Sequence, residues 1–106
     1  MTKAELVASI VDQTGMDREE VNLVVNTLTE TIKREMIGGS EIFIRGFGSF
    51  ILKKRARKKA RNIKAGESLV IPEHYVPQFK PARDFSDDIK NSKKIWEKLE
   101  PNRPID

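Results

Sequence analysis

Apolar positions in the first forty residues recur with the period of an α-helix. Thr2 and Glu5 have the spacing of a capping box, and the same box recurs at Asp17 and Glu20. A glycine follows each of the two periodic segments, where it can end a helix. The two helices have their apolar positions at Leu6, Val7, Ile10, Val11, Val21, Val24, Val25, Leu28, Ile32 and Met36. This pattern predicts a helical hairpin.

The period changes after residue 40. Residues 42–45 and 49–52 are β-branched and aromatic, which is typical of strands, and residues 46–48 form the turn between them. A third apolar run, 69–71, follows a polar turn segment, so a long hairpin with its tip around 61–67 is predicted. The outer half of this hairpin has few apolar residues. We therefore predict an arm that projects from the body and is ordered only when a partner holds it.

The last apolar positions again have helical spacing. They are Phe85, Ile89, Ser92, Trp96 and Leu99. We expect one helix that extends to Leu99 and packs on the body, with Pro101 stopping it. A docking site for another protein through Trp96 is the alternative for this segment.

Together these elements predict an α+β fold. It has a helical hairpin, a three-stranded antiparallel sheet with a long β-arm at about 53–75, and a C-terminal helix. Such a chain offers little core, because the arm buries almost nothing. We therefore expect a homodimer with Phe47, Phe50 and Phe79 in the dimer core. The predicted domain is 1–91, followed by a C-terminal helical extension and tail, 92–106.

Charge is distributed unevenly along the chain. The whole sequence has a net charge of +4, but residues 41–83 hold 11 basic and 3 acidic side chains. Eight of the basic side chains fall within residues 53–64, with no acid among them. A block of this kind repels itself unless an anionic partner or solvent surrounds it. Its position on the predicted arm favours a nucleic-acid partner over a solvated, disordered run.

Several classes of function are disfavoured by composition. The chain has no Cys and one His, so we expect no thiolate metal site, no catalytic triad and no cofactor. The basic segment contains no carboxylate cluster that could hold Mg²⁺ for nuclease chemistry. No apolar run reaches the roughly 20 residues of a membrane span. We expect a cytoplasmic protein that is not an enzyme.

An RNA-binding module is the rival interpretation. Arg45 to Gly48 open like the RNP1 strand, on which aromatic side chains stack against bases. The next stacking aromatic should follow Phe47 by two residues, whereas Phe50 follows it by three, so strand alternation would turn it away. Those modules also begin with a strand. This rival is therefore disfavoured.

The whole pattern resembles the bacterial histone-like HU/IHF family over residues 1 to about 91. The resemblance is carried by Gly46-Phe47-Gly48-Ser49-Phe50, by the basic arm with Arg61-Asn62 at its tip, by Gly66-Glu67, and by Val76-Pro77-Gln78-Phe79-Lys80-Pro81. The order and spacing of the set make it specific. It implies an intertwined dimer whose β-arms enter the minor groove of double-stranded DNA and bend it.

The implied function is that of a nucleoid-associated protein that bends and compacts DNA with little sequence specificity. The alternative within the family is an IHF-like factor that prefers certain sites. The expected partners are double-stranded DNA and a second subunit, either the same chain or a paralogue, without a membrane. The resemblance places the protein in the bacterial nucleoid.

The candidate DNA-binding residues follow from the arm and from its base. They are Lys53, Arg55, Arg57, Lys58, Arg61, Asn62, Ile63, Lys64, Lys80 and Arg83. Arg61 and Asn62 suit the minor groove, because a narrow groove attracts Arg and an amide can meet the N3/O2 acceptors. The family usually has Pro where this chain has Ile63. Ile is bulky and apolar, so we expect Ile63 to intercalate as the wedge. The alternative is an exposed tip residue that only touches sugars. If no bulge intervenes, the odd-numbered cations share one strand face, namely Lys53, Arg55, Arg57 and Arg61.

Overall fold

The computed structural model describes residues 1–62 and 66–100, apart from the side chains of Arg61, Asn62 and Glu67. Its elements are α1 (Lys3–Thr14), α2 (Arg18–Ile37), β1 (Ile42–Ile44), β2 (Gly48–Arg55), β3 (Lys58–Asn62), β4 (Glu67–Ile71), β5 (His74–Pro81), α3 (Arg83–Lys90) and α4 (Lys93–Leu99). The chain divides into a helical unit, Met1–Ser40, and a unit that begins at Glu41 with β1.

Both predicted capping boxes place their helix starts correctly. The Thr2 hydroxyl accepts the Glu5 amide hydrogen at 3.2 Å, and the Asp17 carboxylate accepts that of Glu20 at 3.3 Å. At the end of α1, Gly15 adopts a left-handed conformation with φ of 70°, which suits a residue without a Cβ atom. The predicted helical hairpin is confirmed.

The apolar face of the helical unit is only partly covered. Val7, Val21 and Met36 are buried. Val24 and Leu28, which belong to the same predicted stripe of α2, are 61% and 53% exposed. Apolar area of this size stabilises a fold only when something removes it from water. The chain alone leaves much of this face open.

The sheet of the second unit has three antiparallel strands in the order β1-β2-β5. Along β2, Gly48 pairs with Pro81 and Arg55 pairs with His74. The predicted three-stranded sheet is confirmed, but β5 was not foreseen as a strand. The predicted third run, 69–71, lies instead in β4, which pairs with β3 as the outer part of the arm.

Two prolines explain why β5 was not predicted from the sequence. Pro77 and Pro81 are an even number of residues apart, so their nitrogens point to the same side of the strand. On β5, an edge strand of this sheet, that side can face away from β2, where no amide hydrogen is needed. The strand therefore tolerates both residues.

The turn between β1 and β2 requires glycine at two positions for different reasons. Gly46 has a φ of 79°, a left-handed conformation. Gly48 is buried, and a Cβ atom there would lie 2.6 Å from the carbonyl oxygen of Lys80 and 2.7 Å from the Phe79 ring. Gly48 thus permits the close approach of β2 and β5.

The hairpin that carries the arm consists of two ladders that share one register, an inner ladder of β2 with β5 and an outer ladder of β3 with β4. In the outer ladder Lys58 pairs with Ile71 and Asn62 with Glu67. Between the two ladders lies an interruption in which two residues on each side of the hairpin are unpaired, so the register is kept without a net bulge. Arg57 would stand opposite Pro72 in this interruption. Proline has no amide hydrogen to donate, which explains why the ladder breaks there.

The C-terminal segment corrects a prediction. Instead of one helix up to Leu99, α3 ends at Lys90 and α4 begins at Lys93. The amide of Ser92 donates to the carbonyl oxygen of Ile89 at 3.2 Å, and Ser92 has the extended backbone of an N-cap. Asn and Ser favour such turns and caps over helix interiors, so the helical spacing of apolar residues continues across a break.

Candidate nucleic-acid interface

The inner ladder of the arm has two chemically different faces. Cross-strand partners in an antiparallel sheet point to the same side, and neighbours along a strand point to opposite sides. The cationic face comprises Ser49, Ile51, Lys53 and Arg55 of β2 with His74, Val76, Gln78 and Lys80 of β5. The aromatic face comprises Gly48, Phe50, Leu52 and Lys54 of β2 with Tyr75, Pro77, Phe79 and Pro81 of β5.

Three of the predicted DNA-binding residues lie on the cationic face. Lys53, Arg55 and Lys80 are all exposed there. The condition set by the sequence, that no bulge intervene between Lys53 and Arg55, is met along β2. Their contact with DNA stays a prediction, but their side chains can meet one phosphate-bearing surface together.

The next cations lie at and beyond the interruption of the arm. Arg57 is exposed in the interruption and belongs to neither ladder. Lys58 lies in β3 and, together with Arg55 and His74, lines a cleft of about 330 Å³. The Nδ1 atom of His74 lies 2.9 Å from the carbonyl oxygen of Pro72, which fixes the ring against the backbone of the interruption. The cleft links the cations of the two ladders.

The tip and the base complete the predicted set. The backbone of Arg61 and Asn62 belongs to β3, but their side chains lie outside the described part of the chain, as do Ile63 and Lys64 altogether. Arg83 is exposed at the first position of α3. The roles assigned to these residues stay predictions.

Two carboxylates near the cationic face are engaged elsewhere. Glu73 lies 3.4 Å from the Nζ atom of Lys54, which belongs to the aromatic face. Glu41, which directly precedes β1, accepts a hydrogen bond of 2.9 Å from the amide of Leu52, a β2 residue that is not paired with β1. The ladder residues of the cationic face include no acid, so an anion meets no like charge within it. Sequence reasoning missed both contacts, which depend on pairing across the sheet.

An aromatic cluster covers the other face. The ring of Phe79 lies 5.1 Å from that of Phe47, 5.0 Å from that of Phe50 and 6.4 Å from that of Phe85. Phe47 and Phe79 nevertheless remain 43% and 36% exposed. The three predicted dimer-core residues are thus in contact within one chain and still present open apolar area. Phe85 of α3, assigned only to a helix face by the sequence, belongs to the same cluster.

One argument against an RNA-binding module rested on a wrong premise. Phe47 precedes β2 and lies in the turn, so strand alternation does not separate it from Phe50. Both rings contact Phe79. The other argument concerns topology: two helices, α1 and α2, precede the first strand of the described residues.

Two further observations concern the described ranges, 1–62 and 66–100. No group of three or more His, Cys, Asp or Glu side chains is arranged there to hold a metal ion. Within the same ranges, no helix has the length and apolar character to cross a membrane.

The comparison with known proteins agrees with this architecture. A family model described as "Bacterial DNA-binding protein" matches residues 1–90. Integration host factor subunit beta of Hahella chejuensis is 42% identical over 95 residues, which cover 89% of this chain and 97% of that protein. DNA-binding protein HU of Thermotoga maritima is 36% identical over 90 residues, covering 85% and 100%.

A solved structure has a similar fold. The Anabaena HU–DNA cocrystal structure superposes with a TM-score of 0.81 at 28% identity, covering 87% of this chain and 100% of that chain. The architecture, a helical hairpin followed by a sheet with a cationic arm, thus indicates the same class of DNA-binding protein as the sequence comparisons do. The chain belongs to the bacterial DNA-binding protein family of HU and integration host factor. The resemblance and the α+β fold class predicted from the sequence are confirmed.

Proposed function

We propose that two copies of this chain associate and that their paired arms bend double-stranded DNA with little sequence preference. The observation that carries the DNA-binding half of this proposal is the cationic face. Lys53, Arg55 and Lys80 stand on one side of a continuous ladder, while Lys54 and Glu73 pair with each other elsewhere. Phosphates supply most of the affinity in sequence-independent binding, so a face of cations is sufficient for it.

The association of two copies is supported by uncovered apolar area in both units. In the helical unit Leu23, Val24 and Leu28 are exposed, and in the second unit Phe47 and Phe79 are partly exposed. The cluster around Phe79 also borders a cleft of about 400 Å³ lined by Pro81, Phe85 and Ile89. Small domains commonly cover such area with a symmetric partner. The dimer core assigned to Phe47, Phe50 and Phe79 is part of this proposal.

In this proposal the tips of the arms bend the DNA. Arg61 and Asn62 enter the minor groove, and Ile63 unstacks a base step as an apolar wedge. Arg57, Lys58, Lys64 and Arg83 contact phosphates along the arm and at its base. The register supports the reach of the arm, because its pairing continues from Gly48 to Asn62 with one interruption.

A site-preferring factor built from two different subunits is the second candidate. It is favoured by the 42% identity to a protein named as a beta subunit, against 36% for an HU protein. Preference for a site would then arise from DNA deformability or from a paralogous partner.

We also propose that residues 1–91 form the DNA-binding domain and that 92–106 are an extension to it. The family model ends at residue 90, where α3 also ends.

DNA binding in a bacterium implies a place in the nucleoid. Architectural binding needs no catalysis, and we propose no enzymatic step.

The proposal is tested by measuring affinity for several duplexes of unrelated sequence over a salt series. If about half of the sixteen positive charges on the two arms meet phosphates, log affinity falls with log salt with a slope of about −7. We expect this slope, and similar affinities, on every duplex.

Strong preference for one duplex would favour the site-preferring candidate instead. Absence of binding at low salt would contradict DNA binding altogether. Incubation of plasmid DNA with the protein and Mg²⁺ gives a further check, because nicking would indicate a nuclease.

A further inference from the structure

The side chain of Phe43 is an unexplained feature of the sheet. It is 71% exposed at the centre of the short strand β1. It takes no part in the ring contacts of Phe47, Phe50, Phe79 and Phe85. An exposed ring of this size presents apolar area that a partner could remove from water.

The register places Phe43 in a row with two polar residues. Phe43 pairs with Ser49, and Ser49 pairs with Lys80. Directly paired side chains of antiparallel strands point to the same side, so Phe43 extends the cationic face onto β1. Together with Arg45, these residues line a cleft of about 480 Å³.

Charge decides between two kinds of partner for this row. A second copy presenting the same face would bring Lys80 and Arg45 against the same cations, which opposes association. Glu41, the residue before β1, supplies a single negative charge against these two cations, and its carboxylate accepts the Leu52 amide hydrogen. A polyanion that also has apolar surface fits both the cations and the ring.

Deoxyribose supplies that apolar surface in a DNA duplex. The sugars line the walls of the minor groove between the phosphates, and apolar side chains enter that groove in related binding modes. We propose that Phe43 packs against deoxyribose on the part of the duplex that lies over the cationic face, between the phosphates held by Lys80 and Arg45. This inference rests on the proposed function and adds an apolar contact beside the cations of this face.

The contact has a distinctive salt dependence. Packing of a ring on a sugar releases no counterion, so its contribution is the same at low and high salt, unlike that of a phosphate contact. It also reads no base, because every nucleotide carries the same sugar.

The test compares Phe43→Ala with the wild-type full chain on two duplexes of unrelated sequence. We expect affinity to fall by about five- to tenfold at every salt concentration, with the slope unchanged. Phe43→Leu keeps an apolar side chain and should stay within about threefold of the wild type. Lys80→Ala should instead make the slope shallower by about 2, because a dimer loses two phosphate contacts.

Tyr75→Ala is the matched control. Tyr75 is 65% exposed in the same sheet but lies on the aromatic face, so its loss should leave affinity unchanged. Equal losses for Tyr75→Ala and Phe43→Ala would overturn the assignment of Phe43 to the DNA-facing side.

Three further outcomes would overturn the inference. If Phe43→Ala has unchanged affinity while the wild type binds normally, Phe43 does not contact the DNA, and the proposed function is unaffected. Dissociation of Phe43→Ala into single chains, measured by sedimentation, assigns the ring to an interface between copies. Failure of the wild type to bind either duplex contradicts the proposed function itself.

Discussion

The inner and outer ladders of the arm share a register but differ in what surrounds them. In the inner ladder, β2 is paired on both edges, and Phe50 and Phe79 pack on one face. In the outer ladder, β3 and β4 pair only with each other, and Leu69 and Val70 are 47% and 49% exposed. A single hairpin thus passes from a packed base to a two-stranded ribbon.

This difference separates stability from function. Two-stranded ribbons are marginal in water, whereas a sheet with a packed aromatic face is stable by itself. The aromatic face of the inner ladder can therefore hold the cations of its opposite face in position, and the outer ladder extends the surface available to DNA. Substitutions within the aromatic cluster should change the free energy of unfolding, and those of exposed cations should change DNA binding.

The largest effect is expected for Phe79→Ala, which removes the ring at the centre of the aromatic cluster. Loss of its contacts with Phe47 and Phe50 should lower the free energy of unfolding by about 3 kcal/mol. Urea unfolding at fixed protein concentration measures it. Leu69→Ala in the outer ladder is the control and should change that free energy by less than about 0.5 kcal/mol. Equal effects would abolish the distinction between the ladders.

A somewhat smaller effect is expected for Gly48→Ala. The added Cβ atom would meet the Lys80 carbonyl oxygen at 2.6 Å, and separating β2 from β5 should lower the free energy of unfolding by about 2 kcal/mol. Gly38→Ala is the matched control, because a Cβ atom there would lie 3.5 Å from the carbonyl oxygen of Glu35 and the φ of Gly38 is −77°. A stable Gly48→Ala protein, compared by thermal unfolding, would mean that the strands are not held this closely.

These two predictions concern a region that the sequence described incompletely. Local signals sufficed for the helices, because a cap such as Asp17 acts within three residues. They did not suffice for β5, whose partners on β2 lie far away in sequence and whose prolines oppose a strand assignment. Phe85 joined the aromatic cluster for the same reason, since only the tertiary structure brings α3 to Phe47 and Phe79.

The candidate site shows the same limit. Alternation along β2 was enough to place Lys53 and Arg55 on a common face. The ion pair of Lys54 with Glu73 and the face on which Phe43 lies could be identified only from the cross-strand register. The end of α3 was missed because the apolar spacing continued while Asn91 and Ser92 favoured a turn.

A third prediction concerns binding alone. Arg55→Ala should reduce DNA affinity at moderate salt by about tenfold, or about 1.4 kcal/mol, and make the salt slope shallower by about 2. Fluorescence anisotropy over a salt series measures both quantities. Lys54→Ala, on the opposite face and beside Glu73, should change the slope by less than about 1. The reverse order of the two variants would show that DNA approaches the aromatic face.

The smallest effect is expected for Glu41→Ala. The variant leaves the Leu52 amide without its carboxylate acceptor and should lower the free energy of unfolding by about 1 kcal/mol. Glu41→Gln retains a carbonyl oxygen and should recover most of the loss in the same denaturant titration. If both variants matched the wild type, water would satisfy the amide equally well.

The central claim is that paired arms bend DNA, and end-to-end fluorescence transfer tests it most directly. A duplex of about 40 base pairs is far shorter than its persistence length of about 150 base pairs, so it is nearly straight when free. At saturating protein, transfer between dyes on its two ends should rise clearly, and less so with Ile63→Ala. Transfer that stays at the level of free DNA while the protein is fully bound would contradict the account.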